Sequence, residues 1–367
     1  MARRVFLHVG LPKTGTTYLQ SILWVNKDVI RNQGVLLPGF GPRQHLWASG
    51  VVREDPRLER RSPRAPSAWQ QLTEQIAQWP ETALVSHEFF AGASERQAAR
   101  AMVDLEQAEV HVVLTARELV GLVTARWQEY VKNGSVVAID DYPGSGAPSP
   151  TDEWDWGTMD CADVLRRWGA TLPPERVHVL TVPRPDEPRD TLWKRFATVV
   201  GIDPASCDST RPEHNKSLGV VEVELLRRIN ADLTGFESAV SRGVWIRGYL
   251  AQDKLVPRRG ERFWPSPERV EAIRRRGDAA VDALIAAGYD VHGDLEDLRT
   301  PAVLPQRRHP DSVTDAEMLA ASTATIAAML TDVRERNQQV RRLEQVAVPV
   351  SRARRAYRRL RAVWSRS

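Results

Sequence analysis

Through the N-terminal half of the chain, short continuous apolar runs alternate with segments in which apolar positions recur every three or four residues. Continuous runs fit strands buried on both faces, and the longer recurrence fits helices that bury one stripe. The predicted strands are Arg4–Val9, Thr82–Ser86, Val110–Thr115 and Val177–Val182, and the predicted helices are Thr16–Val29, Leu119–Lys132 and Arg189–Val200. This alternation predicts an α/β fold, a parallel sheet with crossover helices on its faces. Helical patterning then takes over, at Leu218–Asn230 and Ser266–Ala287.

Punctuation divides the chain further. A Gly/Pro/Ser stretch over 140–150 predicts an exposed loop or lid. A Pro/Arg-rich stretch over 301–310 reads as a linker between an α/β domain at 1–300 and a helical tail at 311–367. In that tail Leu319, Ile326, Val333, Val340 and Ala347 recur every seven residues, with mixed companions at Ser322, Met329, Arg336 and Leu343. The pattern is a weakly specified coiled coil, through which copies of the chain would associate. After Pro349, Ala353, Ala356, Tyr357, Leu360, Val363 and Trp364 share one helical face, with arginines opposite. Such a helix suits an anionic membrane surface or a partner protein; a solvated basic terminus is the plain alternative.

Composition narrows the function classes. Of 367 residues, 42% are hydrophobic and 27% charged, which excludes a chain disordered throughout. The net charge is +4, yet residues 351–367 alone hold seven arginines and no acid, leaving the body at −3. A body of that sign argues against nucleic-acid binding through a broad basic face. Two cysteines, Cys161 and Cys207, cannot form a disulfide framework or a four-ligand zinc site and fit a reducing compartment. The first apolar run, Val5–Gly10, is too short for a leader or a membrane span, so a cytoplasmic location is expected, at most peripheral to the inner membrane face.

The most informative stretch is Val9-Gly10-Leu11-Pro12-Lys13-Thr14-Gly15-Thr16-Thr17, which leaves a strand and opens a helix. A junction of this kind aims backbone N–H groups and a helix dipole at one point and seats a phosphate. Gly10 and Gly15 have the spacing of the nucleotide-triphosphatase loop, but Thr16 follows Gly15 and the lysine sits two residues before it, at Lys13. A lysine there approaches the phosphate from the opposite wall.

Pro12–Thr17 (PKTGTT) resembles the 5′-phosphosulfate loop of sulfotransferases that use 3′-phosphoadenosine 5′-phosphosulfate (PAPS). A second signature of that family, a strand followed by Arg and a helical Ser that bind the 3′-phosphate, is similar to Val113–Leu119 with Arg117. The serine position is Ala125 here, and the nearest hydroxyl is Thr124. The resemblance covers roughly residues 4–298 and is nearest to a bacterial, actinomycete-type branch, with supporting similarities at Gly34–Gly39, Thr181–Pro183, Leu192–Phe196 and Gly293–Leu295.

That resemblance implies a P-loop-NTPase-like parallel sheet and sulfuryl transfer from PAPS by in-line displacement, with no metal required. Lys13 and the backbone of Pro12, Thr14, Gly15, Thr16 and Thr17 would hold the 5′-phosphosulfate, with Lys13 clamping the leaving oxygen. Arg117 and Thr124 would hold the 3′-phosphate. The general base would come from the end of the third run, Glu88 or His87, with Glu88 preferred because the actinomycete-like branch tends toward Ser-x-Glu. The acceptor would be a hydroxyl or amine of a carbohydrate, glycolipid or small metabolite, to which the 12 tryptophans are suited. Weaker candidates are His45 in a loop beside the acceptor, Asn215-Lys216-Ser217 before a helix, and Trp127, which reads as a core aromatic. Two other readings stay open. A kinase would need Lys at position 16 and a metal-binding Asp, neither of which is clear. A catalytically inactive scaffold or nucleotide-binding protein would explain the missing serine.

Overall fold

A computed structural model describes residues 2–144, 152–210 and 217–364, with 345–364 described as backbone alone. Six strands form one parallel sheet: β1 (Arg4–Gly10), β2 (Val35–Leu36), β3 (Thr82–Ser86), β4 (Glu109–Ala116), β5 (Val177–Thr181) and β6 (Asp290–His292). Their spatial order is β2-β3-β1-β4-β5-β6. This is the P-loop-NTPase-like α/β arrangement, with helices on both faces. β1 is central: the chain places β2 and β3 on one side of it, then crosses to place β4, β5 and β6 on the other. The crevice at the carboxyl ends of strands around such a reversal is where open α/β sheets bind ligands.

Alternation along β1 explains the two cores. Val5, Leu7 and Val9 pack with Ala83, Val85, Val112 and Leu114 in the larger cluster. Phe6 turns to the other face, with Leu84, Val113, Leu180 and the helical residues Leu19, Ile22, Trp193 and Phe196. Because both faces are covered, the strands read as unbroken apolar runs in the sequence.

The elements differ from expectation where local chemistry is weak. The first helix stops at Val25, and a second runs from Lys27 to Asn32, because the buried Asn26 amide bonds the Ile22 carbonyl and the backbone of Asp208. β2 and β6 have two and three residues, too few for a periodic signal, and both are set by pairing with a longer neighbour. The 140–150 stretch is described only to Gly144.

The 301–310 segment lies along the body: Trp264 bonds the carbonyls of Pro305 and Arg308, and Arg307 stacks over the Trp264 ring. The C-terminal helix runs from Asp315 to Trp364. Ala321 and Thr325 are buried against the body, while Leu319, Ile326, Leu330, Val333, Val340 and Leu343 are exposed. The amphipathic face proposed after Pro349 lies outside the described side chains. No helix among the described residues is long and apolar enough to cross a membrane.

Candidate functional site

The turn between β1 and the Thr16–Val25 helix is built on backbone conformations that glycine supplies. Gly10 has φ 127° and Gly15 φ 85°, both costly for a residue with a Cβ. At Gly10 that atom would stand 2.9 Å from the Glu88 carbonyl oxygen, so the missing side chain lets the turn rest on the end of β3. Lys13 is left-handed too, φ 68°, at a cost of about 1–2 kcal/mol. Strain of this kind concentrates at ligand sites. Gly15 caps the helix without a side chain, and no acidic residue occupies the first turn. Gly15 has no side chain with which to accept a first-turn N–H, and the positive end of the helix dipole favours an anion there.

A buried polar network braces the turn from below. His8 on β1 contacts Ser86 Oγ on β3 through Nδ1 at 2.8 Å and Thr115 Oγ1 on β4 through Nε2 at 3.4 Å. The Thr115 hydroxyl donates to the Gly10 carbonyl at 3.1 Å, and Thr14 Oγ1 lies 2.5 Å from both Thr115 Oγ1 and the Leu11 carbonyl oxygen. Thr14 thus points into the protein. Burial drives the His8 pKa down to about 4, so its ring is neutral. None of His8, Ser86 or Thr115 was singled out from sequence; the available signal was a polar residue at the end of, or inside, an otherwise apolar strand.

The other loop residues divide. Pro12 and Thr16 are buried, and Thr17 is exposed. Lys13 Nζ donates to Glu129 Oε2 at 2.8 Å, on the Leu119–Lys132 helix. Burial pushes the Glu129 carboxyl up, but Lys13, Lys132 and Arg247 outweigh it and hold the group below its ordinary value. One carboxylate therefore faces several cations beside the turn. Arg117 follows the end of β4, a third exposed, with Nη2 3.7 Å from Glu118 Oε1. The Glu118 carboxylate accepts the Gly121 N–H and caps the same helix. Thr124 donates its hydroxyl to the Val120 carbonyl one turn back, at 2.8 Å, an ordinary helical contact that leaves its oxygen able to accept.

At the end of β3 the two candidate bases have separate surroundings. Glu88 Oε2 accepts from Gln20 Nε2 at 3.0 Å, on the helix that follows the turn. Burial raises the Glu88 carboxyl, but His87 and hydrogen bonds from the backbone and Gln20 prevail, and its pKa falls below the ordinary value. The group is a carboxylate at neutral pH. His87 is buried, accepts the Phe89 N–H through Nδ1 and so caps the short helix Glu88–Gly92. Its pKa is lowered, chiefly by burial. His45, expected in a loop, lies in the Pro42–Val52 helix, fully buried. It accepts from the Ser86 N–H at 3.1 Å and bonds the Pro38 carbonyl at 2.8 Å, so it ties β3 to that helix. Trp127 is buried in the core, and Asn215 and Lys216 lie outside the described residues.

The carboxyl ends of β1, β4 and β3 thus carry an open helix N-terminus with Lys13, an arginine, and an ionised carboxylate. One cleft of the described surface is lined by Gln44, Gln71 and Glu74. Another is lined by Arg262, Arg307 and His309, and Arg307 acts electrostatically on Glu118 beside Arg117.

No protein-family model matches this chain, and neither does any curated protein. One solved structure, described as a sulfotransferase from Alicyclobacillus acidocaldarius, aligns at 13% identity over 67% of this chain and 96% of that one, with a TM-score of 0.38. So distant a likeness says nothing about activity.

Proposed function

We propose that the chain transfers a sulfuryl group from PAPS to a hydroxyl or amine of a carbohydrate, glycolipid or small metabolite. One observation carries the reading. A PKTGTT turn with a strained lysine opens an uncapped helix at the sheet's reversal point, and an arginine follows the adjacent strand. The Ser86-His87-Glu88 pattern suits the actinomycete-type branch that the sequence resembles.

In this mechanism the acceptor oxygen or nitrogen attacks sulfur in line with the departing phosphate oxygen. The new bond to sulfur forms as the S–O bond to phosphate breaks, and the electron pair leaves on the phosphate. The open amides of the first helical turn and Lys13, released from Glu129, balance that growing charge. Arg117 grips the 3′-phosphate as a planar multidentate donor, with the Thr124 oxygen beside it. Glu88 takes the acceptor proton, since its carboxylate is ionised before the substrate arrives.

Calorimetry with 3′-phosphoadenosine 5′-phosphate against ATP-Mg²⁺ tests the reading, on wild type and Arg117→Ala. Tight bisphosphate binding that the variant loses is expected. Preference for ATP-Mg²⁺ would replace the proposal with a kinase, and no binding of either would replace it with a scaffold. For the base, Glu88→Gln is expected to slow transfer roughly 10²–10⁴-fold with little change in bisphosphate affinity; a comparable loss in His87→Gln alone would move the role to His87.

The tail supplies partners in this proposal. The exposed Leu319–Val340 stripe pairs two copies of the chain, and the arginines at 352–361 rest on anionic lipid. Val333→Glu with Val340→Glu should give a monomer by light scattering, and liposome binding that survives substitution of those arginines would remove the lipid contact.

A further inference from the structure

At the opposite end of the sheet three strands, β4, β5 and β6, contribute a row of imidazoles and carboxylates that the proposed chemistry does not use. His178 on β5 stands beside Asp290 on β6, its register partner, and His292 follows two residues later on the same face. His178 Nδ1 is 2.6 Å from Asp290 Oδ2, and His292 Nε2 is 2.8 Å from the same oxygen. The row continues inward: His178 Nε2 is 2.8 Å from His111 Nδ1, and His111 Nε2 is 2.9 Å from Glu109 Oε1. Phe6 stacks on the His111 ring at 4.7 Å and fixes its plane.

We infer that His178, Asp290 and His292 bind one divalent transition-metal ion, of which Zn²⁺ is the representative, with His111 and Glu109 orienting His178 from behind. The ligand atoms lie within 4.8 Å of one another. Two imidazoles and one carboxylate form an established three-ligand zinc set. A tetrahedral zinc would hold its ligands about 3.3 Å apart, so the two short contacts open by about 0.5–0.7 Å. Asp290 and His292 have 42% and 24% of their side chains exposed, which leaves them room to move and a fourth position for water.

The geometry around His178 supports the same assignment: its Nδ1 faces Asp290 and its Nε2 meets His111 on the next strand, so one ring nitrogen points at the ligand set while the other is held from behind. With a metal there, His178 donates its other N–H to a held acceptor, the outer arrangement that orients metal-bound histidines. β6 is three residues long and, among the described residues, pairs only with β5. The ion therefore pins the edge of the sheet, a role independent of the proposed transfer chemistry.

The test is equilibrium dialysis of the tag-free full chain against Zn²⁺, with thermal melts and Co²⁺ substitution read by visible d–d absorption. One equivalent of Zn²⁺ that raises the melting temperature is expected. Asp290→Asn and His292→Ala should each abolish it, and Glu109→Ala should weaken it about ten- to a hundredfold. Far-UV circular dichroism checks that the partly exposed replacements fold; should one fail, the other decides. No stoichiometric zinc, or equal binding in the folded variants, overturns the assignment and leaves a hydrogen-bonded row. Arg117→Ala should bind zinc as wild type does, which separates this outcome from that of the transfer reading.

Discussion

The two ends of one sheet each carry a polar row built around histidine, with hydroxyls at one end and carboxylates at the other. At the loop end His8, Ser86, Thr115 and Thr14 are sealed within the protein, and each finds a partner on the next strand or in the turn. At the β6 end His111, His178, Asp290 and His292 form an equally continuous row that reaches solvent. A sealed and matched network is a brace, because an unpaired buried group would cost about 1–3 kcal/mol. A solvent-reaching row in which two histidines converge on one carboxylate oxygen is what we propose as a ligand site. Burial and the carboxylates separate the two ends; the presence of a histidine does not.

The largest effect separates function from bracing at the loop end. Lys13→Ala should reduce sulfuryl transfer about 10²–10³-fold and leave the unfolding midpoint nearly unchanged, because the side chain is partly exposed and its ion pair reaches solvent. A large loss of stability would make Lys13 part of the brace.

Acid should next find the brace. His8 and His45 have folded pKa values of about 4 against an ordinary 6.5, in both cases mainly through burial. Both stay neutral in the folded chain and protonate on unfolding. Stability is then full above about pH 6.5 and falls as the pH drops toward 4, by about 3 kcal/mol for each histidine. Urea titrations across that window should show the slope, and His45→Asn should reduce it; a flat profile would break the comparison.

Thr115→Val keeps the shape and removes the hydroxyl shared by His8, Thr14 and Gly10. Its expected cost is about 1–3 kcal/mol, measured by urea unfolding at neutral pH, with zinc binding at the far end unchanged. Smallest is Glu129→Gln, which frees Lys13. Bisphosphate affinity should rise by less than about tenfold, since a partly exposed ion pair is worth up to about 1 kcal/mol. Weaker binding in that variant would make Glu129 a part of the ligand site.

Legibility followed the length of the signal. Thr82–Ser86 and Leu119–Lys132 were read with the bounds they have in the structure, because a buried strand and a one-sided helix leave unbroken periodic traces. β2 and β6 left none: they are strands only because β3 and β5 lie alongside. The turn at Pro12–Thr17 was legible because its glycines and lysine are adjacent in the chain. His45 was misplaced because its helix, Pro42–Val52, alternates buried polar and apolar residues and shows no clear stripe.

Local sequence by itself determined the α/β character, the strand-turn-helix junction at Gly10–Thr17 and the arginine after β4, since each depends on neighbours a few residues apart. Only the tertiary structure decided that Lys13 faces Glu129, that His87 caps while Glu88 stays an ionised carboxylate, and that His178 meets Asp290. Those pairings join residues 116, 68 and 112 positions apart for Lys13–Glu129, Gln20–Glu88 and His178–Asp290. Hydrogen bonds and burial act over a few ångströms, and which distant residues come within that range is settled by strand order and register.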